Sequence, residues 1–149
     1  MKNFIQRWIP RMFLPENRIP LSTQNKTLLQ NELECCFTLG GLDQIKGILL
    51  LCARDFSTKE LVEFNMNIDY RRRMIKYVES KLLRPYYHTH EIASMIIGAK
   101  SRIQVDAIMM HIEMNKEIYN NRVQGMEIYK SMASKKNAQL LLDLQKLSA

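Results

Sequence analysis

Apolar residues recur at helical spacing along most of the chain. From about Asn25 to Leu39, Leu28, Leu29, Leu33, Cys36 and Phe37 share one face, and Gly40-Gly41 is expected to stop that helix. A second helix is expected from Leu42 to Arg54, with Ile45, Ile48, Leu49 and Cys52 as its stripe. Leu50 and Leu51 widen the stripe, which predicts a central position. Ser57 and Glu60 form a capping box, S-x-x-E, at the head of a short helix that turns Leu61, Phe64 and Val62 inward. Asn65-Met66-Asn67 reads as a turn, because Asn tolerates left-handed backbone and its side chain competes with helical hydrogen bonds. A further helix then runs from Asp69 to Leu83.

Pro85 ends that helix, and Pro85-Tyr86-Tyr87-His88 is a connector. A short helix follows from Glu91 to Ile97, closed by Gly98. Ser101 with Gln104 is a second capping box, opening a long helix that holds Val105, Ile108, Met109 and Ile112. From about Val123 to Leu147 the apolar set is Ile128, Met132, Leu140, Leu141, Leu144 and Leu147. Alternating β-branched runs are absent, so no strand is expected. Pro10, Pro15 and Pro20 make residues 1–23 an arm whose Phe4, Ile5, Trp8, Met12 and Phe13 need cover from the domain or a partner subunit. The pattern predicts an all-α, single-domain helical bundle over 24–149, with an extended N-terminal arm and a long C-terminal helix. It places a helix-turn-helix at about 57–83 and a second helical break at 90–113.

Composition fits that picture: 149 residues, 46% apolar and 25% charged, suffice for one globular core. The net charge of +7 is unevenly spread, because residues 70–104 carry eight cations against two carboxylates. Such a field attracts polyanions in a salt-sensitive way. Cys35, Cys36 and Cys52 lie in apolar runs without a CxxC pair, as reduced core residues of a cytoplasmic protein do. Arg7, Pro10 and Arg11 interrupt any secretory apolar segment, and no uncharged run approaches a membrane span, so no membrane insertion is expected. A basic amphipathic anchor within residues 1–13 is the peripheral-membrane alternative.

The charge sharpens the reading of Asp69–Leu83. Met74, Ile75, Val78 and Leu82 fall within an arc of about 100°, and Arg72, Arg73, Lys76 and Ser80 fall opposite. Arg71 lands on the core side, in the first turn. Cations at a helix start oppose the macrodipole, a local cost that a phosphate or base edge would offset.

From Leu42 to Leu82, about a quarter of the chain, the sequence resembles the C-terminal DNA-binding unit of LuxR/FixJ-type transcription factors. Ser57, Lys59, Glu60, Leu61 and Val62 stand at the S-x-K-E-[IL]-[AV] positions, and Val78, Lys81 and Leu82 at the end of the recognition helix. Phe56–Leu61 is also similar to the Y-S-R-K-E-V segment of PapB-type fimbrial regulators. One residue must be deleted before the turn, Val62 replaces a small Ala, and Tyr70-Arg71 replaces Thr-Val. The resemblance implies a dimeric, sequence-specific binder of double-stranded DNA, bacterial in style, with Lys59, Tyr70, Arg72, Arg73 and Lys76 toward the duplex.

The DNA-binding set expected is therefore Lys59, Tyr70, Arg71, Arg72, Arg73 and Lys76, with Lys81, Arg84, Lys100 and Arg102 on phosphates. His88 and His90 form an H-x-H without nearby cysteines, so neither a metal nor a cofactor is expected, and His111 reads as a packing residue. Phosphate-loop, nucleophile-elbow and H-E-x-x-H motifs are missing, and no catalytic residue is assigned. The competing class is a helical protein–protein adaptor, or an accessory protein of secretion or conjugation, that uses Met- and Leu-rich helices. Leu140, Leu141, Leu144 and Leu147 of the C-terminal helix are expected either at a dimer contact or in the core.

Overall fold

A computed structural model describes residues 21–122 and 127–148, and every regular element among them is helical. Residues 1–20, which hold most of the expected arm and all its aromatic residues, lie outside the described residues, as do 123–126. The chain divides into two compact units, one ending at Arg72 and one starting at Arg73, where the sequence predicts a single bundle.

The first unit contains α1 (Leu21–Glu34), α2 (Leu39–Leu51), a 3-10 turn at Ala53–Asp55 and the first part of α3 (Thr58–Lys81). Helix α1 ends earlier than its apolar pattern suggests because Thr38 begins the next helix, its hydroxyl accepting from the Gly41 amide at 3.0 Å. Gly40-Gly41 therefore stands in the first turn of α2. A Cβ on Gly41 would lie 2.7 Å from Cys36 Sγ and 2.9 Å from Thr38 Oγ1, so the cap needs glycine there. The core of this unit is Leu29, Leu33, Leu42, Ile45, Ile48, Leu49, Cys52, Phe64 and Ile68. Leu50 and Leu51 do not join it. They are 72% and 81% exposed, so the buried stripe of α2 is not widened as their positions suggest.

Helix α3 carries the main departure from expectation. It runs unbroken for 24 residues, so the turn at Asn65-Met66-Asn67, and with it the two-helix unit at 57–83, is absent. Phe64, Ile68, Ile75, Val78 and Leu82 are buried, and Arg71 fills the gap in their spacing of three and four. A stripe that keeps its phase across Asn65–Asn67 leaves those three residues on the solvent side. The Asn65 side chain donates to the Leu61 carbonyl at 3.0 Å, one turn back, which supports the helix it was expected to break. The capping box at its start does form: Ser57 N donates to Glu60 Oε1 at 3.0 Å, and Glu60 N to Ser57 Oγ at 3.1 Å.

The second unit contains the rest of α3, then α4 (Thr89–Ile97), α5 (Arg102–Met114), α6 (Lys116–Arg122) and α7 (Glu127–Ser148). Helix α5 is central, with Val105, Ala107, Ile108, Met110, His111 and Ile112 all buried. It ends at Asn115, whose side chain donates to the His111 carbonyl at 2.9 Å. The buried His111 ring lies 2.9 Å from Tyr119 Oη, which also accepts from the Tyr87 amide at 3.0 Å. Burial pushes the His111 imidazole below its ordinary range and the Tyr119 phenol up to about 12, so both are neutral near pH 7. The uncharged pair pins the Tyr86-Tyr87 connector to α5 and α6.

Candidate functional site

The arginine triplet on α3 is the first candidate, and its three side chains part company. Arg71 points inward: Nε donates to the Cys36 carbonyl at 2.6 Å, and the guanidinium lies 5.3 Å from the Phe37 ring centre. Burial lowers the Arg71 pKa, while Cys36, Cys35 and Glu34 act in the opposite direction. It is a tie between helices of the first unit, not a groove-reading residue. Arg72 is half-buried and closes an ion pair with Asp43 at the start of α2, Nη2 to Oδ1 2.9 Å. Arg73 and Lys76 are exposed. Lys59 is exposed as well, but 14 residues of unbroken helix, about 21 Å of rise, separate it from Arg73. Tyr70 is half-buried.

The phosphate-contact candidates fare unevenly too. Lys81 is exposed at the end of α3. Arg84 is held by Glu91, Nη2 to Oε1 2.7 Å, and lies 4.3 Å from the Tyr87 ring centre. The Arg84 guanidinium depresses the Glu91 carboxyl, and the His88 amide adds to that effect. Arg102 leans on Asp106 at 3.4 Å with its side chain 75% exposed, and Lys100 is exposed. Gln104 accepts from the Lys100 amide at 2.9 Å while the Ser101 hydroxyl makes no cap bond, so the second capping box is only half formed and shifted by a residue. The break at Gly98–Ser101 does join two helices. In α5, the second of them, six of thirteen residues are buried, all between Val105 and Ile112, and Arg102 in its first turn is exposed.

The second candidate lies on α7; the sequence pattern names its leucines, but takes Ile128 and Met132 for the buried positions that Tyr129 and Ala133 occupy. Tyr129, Ala133, Leu140, Leu144 and Leu147 form one helical stripe. Its first part is core: Tyr129 and Ala133 are buried, and Ala133 packs with Ala99 and Val105, joined by Met109 and Leu140. Lys136 Nζ donates to the Ile97 carbonyl at 2.7 Å, and Asn137 donates to Asp106 at 3.1 Å, fixing α7 against α4 and α5. Cover then stops. Every described side chain from Leu141 to Ser148 is exposed, including Leu141 at 57%, Leu144 at 64% and Leu147 at 85%. Beside these leucines is a cavity of about 350 Å3, lined by Leu140, Leu141, Leu144 and Ala138 and edged by Lys100 and Arg102. Among the described residues no carboxylate pairs with the Lys100 ammonium.

A hollow of similar volume in the first unit is more open and lined mostly by polar residue types around Phe56 and Phe64, and its Lys26 ammonium already sits 3.0 Å from Glu60 and 5.6 Å from the Phe56 ring centre. His88 and His90 stack at 5.8 Å, both exposed, and no three His, Cys, Asp or Glu side chains among the described residues converge as a metal site would require. Cys36 and Cys52 are buried and Cys35 is exposed, each as a free thiol. No helix among the described residues is long and apolar enough to cross a membrane. Compared with known proteins, the chain matches no family model, no curated protein and no solved structure, so the functional reading rests on its own residues.

Proposed function

We propose that this chain is a helical protein–protein interaction module that docks a partner on the end of α7. One observation carries the reading: a stripe that is core at Tyr129 and Ala133 continues without cover to Leu144 and Leu147. Burying a leucine side chain contributes about 1.5–3 kcal/mol relative to leaving it in water. Three leucines covered together would offset much of the cost of association. The test is a photo-activated cross-linking residue placed at Leu144 or, on the opposite face, at Lys135. A discrete protein adduct from position 144 alone, lost when Leu141→Glu is added, supports the reading. Equal adducts from both positions, or none, would remove it.

A second reading, sequence-specific DNA binding by a dimer, keeps the net charge of +7 and the exposed Arg73 and Lys76 in its favour. It lacks the two-helix unit, and its Arg71 and Arg72 are engaged within the chain. Mobility shifts on random duplex DNA at two salt concentrations decide it. Binding that collapses at the higher salt, and with Arg73→Ala plus Lys76→Ala, would favour it; no binding at low salt ends it.

A further inference from the structure

We propose that the groove at the free end of α7 takes an acidic amphipathic helix from another protein, an inference that rests on the docking reading above. The shape is the first reason. The apolar surface is a recess beside α7, bounded by Lys100, Ser101 and Arg102, and a recess admits the side-chain knobs of a helix. A bilayer would favour an outward apolar ridge instead.

Charge selects among the remaining occupants. The two side chains that edge the recess with full charge, Lys100 and Arg102, are both cationic. Arg102 has the partial company of Asp106, which is also bound by Asn137, while Lys100 projects free among the described residues. A second copy meeting this face would bring the same cations against them, a juxtaposition that opposes self-pairing. The chain's own first 20 residues are no better matched, since Lys2, Arg7, Arg11 and Arg18 outnumber Glu16. A partner with leucine-like anchors on one face and carboxylates along its flank satisfies both the floor and the rim.

The probes are two labelled helical peptides with leucines at i, i+3, i+4 and i+7, one filled with glutamate and one with lysine. Full-length protein is titrated against each by fluorescence anisotropy. The acidic peptide is expected to bind at least about tenfold more tightly than the basic one, with the advantage shrinking as salt rises. Lys100→Glu with Arg102→Glu is expected to reverse the preference, and Leu144→Glu to abolish binding of both. These positions are exposed, and circular dichroism checks that each variant keeps its helices. Equal binding of the two peptides, or a preference that the double charge reversal leaves unchanged, overturns the proposal. So does flotation with anionic vesicles, or concentration-dependent self-association, when either is lost in Leu144→Glu and no peptide binds. If neither peptide binds while the adduct at position 144 persists, the acidic helix is wrong and the docking reading stands; if the adduct is missing as well, both fall.

Discussion

Arg71 and Arg72 of α3 end their side chains on the Cys36 carbonyl and the Asp43 carboxylate, whereas Leu141, Leu144 and Leu147 of α7 end theirs in solvent. The residue types suggest the reverse assignment, with cations offered to a partner and leucines to the core. The difference lies in what each helix meets after folding. The arginines fall where α3 passes the α1–α2 turn and the head of α2, which offer an open carbonyl and a carboxylate. The leucines fall where the cover from α4 and α5 has run out. A side chain's availability for function is thus a property of its surroundings more than of its type, and exposed apolar surface can mark a docking face more clearly than a run of charge.

The comparison breaks most severely if α3 is not one helix, since only an unbroken stripe carries Arg71 inward. Met66 is 64% exposed, so replacing it removes little packing. Met66→Pro should nevertheless destabilise the protein by about 3 kcal/mol or more, through a lost backbone bond and a clash with the preceding turn. Met66→Ala should stay within about 0.5 kcal/mol. Urea midpoints followed by circular dichroism provide the check. A proline tolerated like the alanine would restore the turn and return the helix-turn-helix to consideration.

Next in size is Arg71→Ala. It strands the Cys36 carbonyl and removes the guanidinium from Phe37, at a cost of about 2 kcal/mol. Arg72→Ala breaks an ion pair whose carboxylate partner is largely exposed and should cost less than about 1 kcal/mol. Arg73→Ala should be close to neutral. Three equal effects in urea titrations would mean that the triplet acts as one surface patch, contrary to the geometry.

Much of the helical order was legible in the sequence. Leu29, Leu33, Ile45, Ile48 and Leu49, and later Ile75, Val78 and Leu82, are buried where their spacing puts them. The missed signal was Ile68, which links Phe64 to Arg71 at helical intervals and argues against a turn at Asn65–Asn67. Asn can leave a helix, but it has an equally local option, a bond to the carbonyl four residues back, and Asn65 takes that one. The partners of Arg71 and Arg72 were out of reach, because Cys36 and Asp43 lie 35 and 29 residues away and only tertiary packing brings them close. The spacing of Leu140, Leu144 and Leu147 marks one apolar face of a helix, as α7 shows, though Tyr129 and Ala133, not Ile128 and Met132, continue it into the core. That face's lack of cover was not legible, because periodicity gives the face of a helix but not the length over which a neighbour accompanies it. The same limit explains Leu50 and Leu51, which stay exposed beside a stripe that is itself buried.

The smallest expected effect bears on the other half of the comparison. Leu144→Gln keeps the length and helix propensity of the residue and removes only its apolar character. Because Leu144 is 64% exposed, the substitution should change the urea midpoint by no more than about 0.5 kcal/mol and leave the helical signal intact. It should also raise solubility at high protein concentration, by shrinking the apolar patch that Leu141, Leu144 and Leu147 present. A loss of about 2 kcal/mol would be the signature of a leucine that is truly buried. In that event the end of α7 belongs to the molecule's own core, and the contrast with the inward-turned arginines disappears. A neutral result, alongside a costly Arg71→Ala, would mean that the folded chain depends on the inward Arg71 and can spare Leu144 for a partner.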